Sequence, residues 1–572
     1  MGMYDELTCD FLIVGSGGAG LMAALHAYDA NPRLRIVLAA KGLVGKSGCT
    51  RLVQGGFNAA LDPGDSVELH FRDTIKAGQF INNQDLTWEL VNGAPRVIAE
   101  LETKVGCFFD RRADGVIHQK PFAGQSFDRT VHRGDLTGIE IVSRLHDQLF
   151  AREITLLDET RAVDLVRARA GRQLAGVLLL HQRTGTFTLA RARVVLLCTG
   201  GGPRMYRVSA PSIEKTGDGY AMAYRAGCDL IDMEMMQFHP TGILAGASRL
   251  TGMVLEEGLR GAGGRLTNAL GERYMTRYDP ERLERSTRDV VARANYIEIV
   301  EGRGTREGGV YLDVSHLGAA FIERNFPGMV RRCAEVGYDL TTGPVEVTPT
   351  AHFHMGGVQI DTRCRTDLDG LLVAGEDAGG VHGANRLGGN GVAESTVFGA
   401  RAGDTAAELC QDRALAPPDE SAVERTIADV LAPLGRASGE SPFKLREAIQ
   451  NLMWERVGLV RDGEGLDAAV DALQALEERA GSLKAPGGRV WNLTWQEAIN
   501  VRNLIVAARL TALAARHRRE SRGSHYRRDL PTRDDDRWLV NVHQRYEDGV
   551  ERIWETPVAL TRLRPEQEAG AR

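Results

Sequence analysis

The polar and apolar positions of the chain alternate between two kinds of stretch. Four short apolar runs, Cys9–Val14, Arg35–Ala39, Val194–Cys198 and Leu371–Ala374, have the length and continuity of buried parallel strands. Three of them run straight into glycine or small polar residues, the fourth into Ala40-Lys41. Between and after them, apolar positions recur with helical spacing over Leu21–Tyr28, Tyr220–Ala226, Leu445–Met453 and Ala498–Ala515. The pattern predicts an α/β fold in the first two thirds and a helical domain at about 421–540. The residues from 541 to 572 are predicted to be a C-terminal tail.

The first run gives this architecture a chemistry. Gly15-Ser16-Gly17-Gly18-Ala19-Gly20 sits between a predicted strand and a predicted helix, the context in which GxGxxG binds a dinucleotide. Gly15 permits the turn, Gly17 lets a pyrophosphate approach, and Gly20 lets helix pack on strand. The second run should end at the ribose-binding position, where an acid is common. Ala39-Ala40-Lys41 stands there instead, which weighs against NAD and leaves FAD open. Lys41 either meets a phosphate or is solvated. Residues 375–391 form a glycine-rich stretch carrying Glu376, His382 and Arg386, and an arginine in such a frame suits two-pronged binding of a carboxylate.

Composition narrows the classes. The chain has 572 residues, room for two to four domains, and 43% of them are hydrophobic. A net charge of −6 offers no nucleic-acid surface. The eight cysteines are scattered without a CxxC pair, so no metal or iron–sulfur site is expected in this chain. No apolar run reads as long enough to span a bilayer, and the first residues lack a signal-peptide pattern. The expected location is the cytoplasm, with any membrane attachment made peripherally through partner subunits.

Beyond these readings, several stretches resemble the succinate dehydrogenase/fumarate reductase flavoprotein family, to which L-aspartate oxidase is related. They are Gly45–Ala60, with Thr50 and Gln54-Gly55-Gly56; Phe122-Ala123-Gly124-Gln125; Met236–Gly242; Pro349–Gly357; Glu257-Gly258-Leu259-Arg260; Ser286–Ala294; and the 375–391 stretch. The resemblance implies a Rossmann-like FAD-binding domain made of 1–240 and 350–420, interrupted by an α+β capping domain at 241–349. It implies FAD contacts at Gly15, Gly17, Gly20, Lys41, Cys49, Thr50, Gln54, Gly55, Gly56, Thr199, Gly200, Asp218, Glu376 and Asn390. Cys49 stands where respiratory members carry a histidine bonded to flavin, so FAD is expected to be held non-covalently, at a lower potential that favours reduction.

For a small dicarboxylate the resemblance implies binding by Phe122, His239, His352 and Arg386. Arg288 is implied as proton donor, resupplied by Glu257 and Arg260. An iron–sulfur protein subunit would take or give the electrons, and through it a membrane anchor or other carrier. The expected reaction interconverts fumarate and succinate or a close dicarboxylate. The alternatives are a free-standing aspartate oxidase, which Phe122 argues against, and a catalytically impaired FAD-binding assembly subunit. The latter draws on Glu256, an acid where the family usually has a threonine that bonds the substrate.

Overall fold

The computed structural model describes residues 3–565. Its core is a seven-stranded sheet. Parallel strands Ile154–Leu157, Ile36–Ala39 and Asp5–Val14 lie side by side, and Asp5–Val14 pairs in turn with Thr186–Leu197. That long strand forks. Its first half pairs antiparallel with Leu174–His181, and its last residues pair parallel with Leu371–Val373. All four apolar runs are thus neighbouring strands of one sheet, each fully buried over most of its length. Near-continuous hydrophobicity is what a strand covered on both faces requires.

Helix Gly18–Ala30 starts directly after the Gly15 turn and packs against Asn390–Asp412. The two backbones approach closely: a Cβ added at Gly399 would lie 2.5 Å from the Ala19 carbonyl oxygen, and one at Gly403 2.5 Å from that of Ala23.

The insertion has its own core, in which Ile243, Leu259, Tyr274, Val291, Leu312 and Val345 meet. Its antiparallel sheet runs in the order Met236–Ile243, Val345–His354, Val310–Asp313, Arg265–Thr267. The chain enters and leaves through the first two strands, which pair His239 with Thr350. Boundaries at 241 and 349 therefore fall inside two continuous strands that join the insertion to the rest.

Helices Glu420–Gly435, Pro442–Arg456, Gly463–Ala480 and Leu493–His517 form the predicted helical region. By length and composition Leu493–His517 could cross a membrane, contrary to the reading of the apolar runs, but 72% of its most apolar window is buried inside the fold.

The expected tail is different in structure. Strands Val540–Glu547 and Val550–Pro557 form a hairpin, and the first of them also pairs with Leu230–Ile231. Its sequence, Val-Asn-Val-His-Gln-Arg-Tyr-Glu, lacks an apolar run because its burial is satisfied by hydrogen bonds. Asn541 donates to Asp232 and to the Ile81 carbonyl, and the Val542 amide donates to Asp232. Residues 566–572 of that predicted tail lie outside the described residues.

Candidate active site

A cleft opens at the carboxyl ends of the parallel strands. Four of its walls are the residues that follow four strands: Gly15–Gly18, Ala40–Gly42, Cys198–Gly200 and Ala374–Glu376. Ligands of open α/β sheets bind at this position.

At one end the site suits a dinucleotide. Gly15 has φ +117°, and a Cβ there would sit 2.2 Å from the Cys198 carbonyl oxygen, so only glycine permits the turn. Helix Gly18–Ala30 has no side-chain cap, and its first turn faces the cleft as a ready anion site. The Gly18 amide donates to Thr50 Oγ1 at 3.0 Å, which fixes the 45–56 loop against that turn. Gln54 Oε1 and Glu214 Oε2, on residues lining the cleft, are buried without a hydrogen-bond partner. A bound group that presents hydrogen-bond donors would satisfy them.

Of the predicted cofactor residues, Gly15, Gly17, Lys41, Cys49, Thr50, Gln54, Gly55, Gly56, Thr199, Gly200, Asp218 and Glu376 all line the cleft. Lys41 is neither solvated nor free for a phosphate. Its Nζ bonds Asp218 Oδ2 at 2.9 Å and Thr216 Oγ1 at 2.8 Å. Gly20 lies beneath the turn, where a Cβ would meet the Gly15 oxygen at 2.0 Å. Asn390 does not line the cleft. Its side chain is fully buried, bonded to Asn58, His70 and Thr74, and secures the start of helix Asn390–Asp412 from behind. Sequence reading missed Lys215, which lines the cleft and pairs with Glu376, and Asp377, which accepts bonds from the Thr199 and Gly201 amides. Glu376 is raised to about 7 by burial, which outweighs the pull of Lys215.

At the other end the cleft is cationic. His239, His352, Arg386 and Arg288 all line it, with Phe122 and Glu257. The His239 and His352 rings stand 5.4 Å apart, and the Arg386 guanidinium lies 4.3 Å over the Phe353 ring. Burial, followed by Arg288 and His352 beside His239 and by Arg386 and Arg288 beside His352, pushes both imidazoles well below their usual range. Both are therefore neutral. The Thr241 amide donates to His239 Nδ1 at 3.3 Å, so that nitrogen is the acceptor and Nε2 carries the hydrogen. Burial, and then Arg288, lowers Arg386 to about 9.

Arg288 donates through Nε at 2.8 Å and Nη2 at 2.5 Å to the same Glu257 oxygen, Oε2. Arg260 approaches the other oxygen at 3.5 Å and donates to the Glu284 carbonyl at 2.6 Å. Glu257 precedes the turn Gly258–Gly261, so the spacing of three places it and Arg260 on one side. Arg260 itself is buried behind the cleft. Burial would raise Glu257, but the two arginines overcome it and hold the carboxylate below its ordinary range. A Cβ at Gly388 would meet Glu257 Oε2 at 3.0 Å, Phe122 Cδ2 at 3.0 Å and Arg288 Nη2 at 3.1 Å, so three predicted residues converge on one bare backbone position.

Gln237 was not singled out from the sequence. It lies two positions before His239 on one strand, and that period of two was the available signal. Its Oε1 accepts from Arg288 Nη1 and Arg386 Nη2, each at 3.2 Å, while Nε2 donates to Asn385 Oδ1 and the Arg386 carbonyl, each at 2.8 Å.

Comparison with known proteins agrees with this geometry. The family model described as "FAD binding domain" matches residues 10–392, and that described as "Fumarate reductase flavoprotein C-term" matches 446–569. One of the subunits of fumarate reductase (CoM/CoB) from Methanothermobacter marburgensis is 43% identical over 541 residues, covering 92% of this chain and 96% of that one. An uncharacterised FAD-dependent oxidoreductase of Methanocaldococcus jannaschii is also 43% identical, over 535 residues, 93% of this chain and 95% of that one. Among solved structures, a variant of Escherichia coli quinol fumarate reductase FrdA superimposes with a TM-score of 0.93 at 33% identity, covering 98% of each chain. With the nucleotide-binding turn, the forked sheet and the cationic chamber in place, the chain belongs to the succinate dehydrogenase/fumarate reductase flavoprotein family and is an FAD-dependent oxidoreductase.

Proposed function

We propose that the protein interconverts fumarate and succinate, or a close dicarboxylate, as the flavoprotein component of an assembly whose iron–sulfur partner carries the electrons. The reading rests on one observation: His239, His352, Arg386 and Arg288 line a single chamber that is continuous with the dinucleotide cleft. A dianion needs two anchored ends. Arg386 supplies a charged clamp for one carboxylate, and the neutral imidazoles of His239 and His352 supply hydrogen-bond donors for the substrate. Phe122 forms an apolar wall against which the carbon skeleton lies. The relative from Methanothermobacter is named as one of the subunits of a fumarate reductase, which supports both the reaction class and the partner.

FAD, when bound, exchanges a hydride with the substrate. The protein's own part is to orient the diacid, exclude water and move the proton. Arg288 gives the proton from its guanidinium to the substrate carbon during reduction. An arginine does so only if it is resupplied at once, and Glu257, bonded to it directly, passes a proton on from Arg260 behind. The Cys49 thiol accepts a bond from the Ser212 amide at 3.2 Å, and burial raises its pKa, so it remains protonated and weakly nucleophilic. FAD is accordingly held without a bond to the protein.

The test is Arg288→Ala. The variant should retain FAD, released in full on acid precipitation, while fumarate reduction by a reduced viologen dye falls by at least about 10²–10⁴-fold, the range of a lost general acid. Turnover equal to that of the parent would remove Arg288 from the reaction.

A further inference from the structure

The acid at 256 sits beside a chamber built for a dianion, and its surroundings explain how. Glu256 and Glu257 are consecutive, both line the cleft, and each takes a different partner. Glu257 Oε2 pairs with Arg288 beside Gly388, whereas Glu256 Oε1 lies near Gly258, where an added Cβ would meet it at 3.2 Å. There it meets Lys120 Nζ at 2.5 Å. The Glu256 side chain is only 2% exposed and that of Lys120 18%. Lys120 comes from the short strand Gln119–Lys120, two residues before Phe122, while Glu256 belongs to the insertion, so the pair joins the two parts of the molecule. The Glu256 amide, in turn, is held by Met329 Sδ at 3.3 Å.

We infer that Lys120 is a positioning residue for dicarboxylate binding: it holds the Glu256 carboxylate, which lines the same cleft, in an ion pair and cancels its charge. This rests on the dicarboxylate reading above. Without Lys120, a buried carboxylate would face the incoming dianion at close range, and like charges in a poorly solvated site repel strongly. The charged groups around Glu256 are Lys120, Asp135, its neighbour Glu257, and Arg332 of helix Pro327–Ala334. Burial already raises the Glu256 carboxyl, with Lys120 opposing it. Removing Lys120 raises it further, so the repulsion fades as the carboxyl takes up a proton at lower pH.

The experiment titrates malonate, a dianion that cannot be reduced, into the FAD-loaded protein and follows the flavin absorbance. Lys120→Met should weaken malonate binding on the order of tenfold at about pH 8, and less at about pH 6. Lys120→Arg should restore it. Lys120→Met/Glu256→Gln should bind within about twofold of the parent, because the charge to be cancelled is gone. Glu256→Gln alone should bind as tightly as the parent or more so, and it carries the test if Lys120→Met does not fold. Unchanged binding in Lys120→Met, a double variant as weak as the single, or a weakened Glu256→Gln each overturns the inference while leaving the dicarboxylate reading standing. A parent protein that binds neither malonate nor fumarate overturns both.

Discussion

The arginines of the chamber carry charge, but a neutral amide sets where that charge lies. Gln237 shares one carbonyl oxygen between Arg288 and Arg386, two like charges that would otherwise repel. Its NH₂ is tied to Asn385 and to the Arg386 backbone, so the oxygen cannot turn away. Gln237→Leu keeps the volume and removes every one of these bonds. It should lower kcat/KM for fumarate by about 10–10²-fold, the usual cost of misplacing reacting groups by a fraction of an ångström, with FAD content unchanged. Steady-state kinetics beside a flavin spectrum would check this, and unaltered kcat/KM would show that the arginines hold themselves. The contrast with His239 marks what a sequence shows at this scale. His239, His352, Arg288 and Arg386 could be named before any coordinates because they stand in stretches that resemble the family's. Gln237 was not singled out there, and Lys120 stands outside those stretches, its partner 136 positions away in the chain. Lys41 shows the converse, since its type suggested a phosphate and its neighbours Asp218 and Thr216 claim it.

Elements were most legible where an apolar run meets glycine. Each such junction became a strand end on the cleft, because a buried parallel strand must be apolar and the turn after it must let a ligand approach. The hairpin Val540–Pro557 was not legible, for the opposite reason: its burial is polar and depends on Asp232, a residue distant in sequence. Helix packing was hidden too. Gly399 sits in the middle of helix Asn390–Asp412, where propensity alone would count it a weakness. Its role is to let Ala19 approach, with only 2.5 Å between that carbonyl oxygen and the place of a Cβ. Both helices supply cleft residues, Gly18 and Ala19 from the start of one, and Gly391, Val392 and Ser395 from the other. Gly399→Val should therefore lower stability by about 1–3 kcal/mol, as overpacking does, and lower FAD content with it. A melting curve and a flavin-to-protein ratio would measure both; a variant with normal FAD content would separate helix spacing from cofactor retention.

For the molecule as a whole, acid should be more damaging than the carboxylates alone would make it. Burial holds His70, His132 and His354 at about 4, and His239, His352 and His525 well below their usual range. Once the pH drops below about 6.5, the unfolded chain takes up protons that these sites refuse, so the native state loses stability as pH falls from there toward 4. Asp232 and Glu376, raised to about 7 by burial, act in the other direction, binding protons first in the native state and gaining stability as pH falls through 7. His26, raised to about 9 because Asp404 and Glu100 outweigh its burial, also favours the folded state on the acid side. His146 and His543 are lowered as well, and Glu256, Asp367 and Asp377 are raised by burial, so among the described residues eight lowered histidines stand against six raised groups. The melting temperature of the FAD-loaded protein should fall steadily between about pH 6.5 and 4.5; a flat or rising profile would mean that these histidines are charged in the folded state.

The pairing of Leu230 with Gln544 also has a consequence in time. Strand Leu230–Ile231 is synthesised long before the hairpin that completes its sheet, and at about 5–20 residues per second the wait on the ribosome is on the order of tens of seconds. Through that interval Asp232 lacks the amide donors of Asn541 and Val542, and the strand edge beside it stays open to other chains. This part of the molecule is thus completed only once residues 540–557 have been made, however early the strand they pair with has formed.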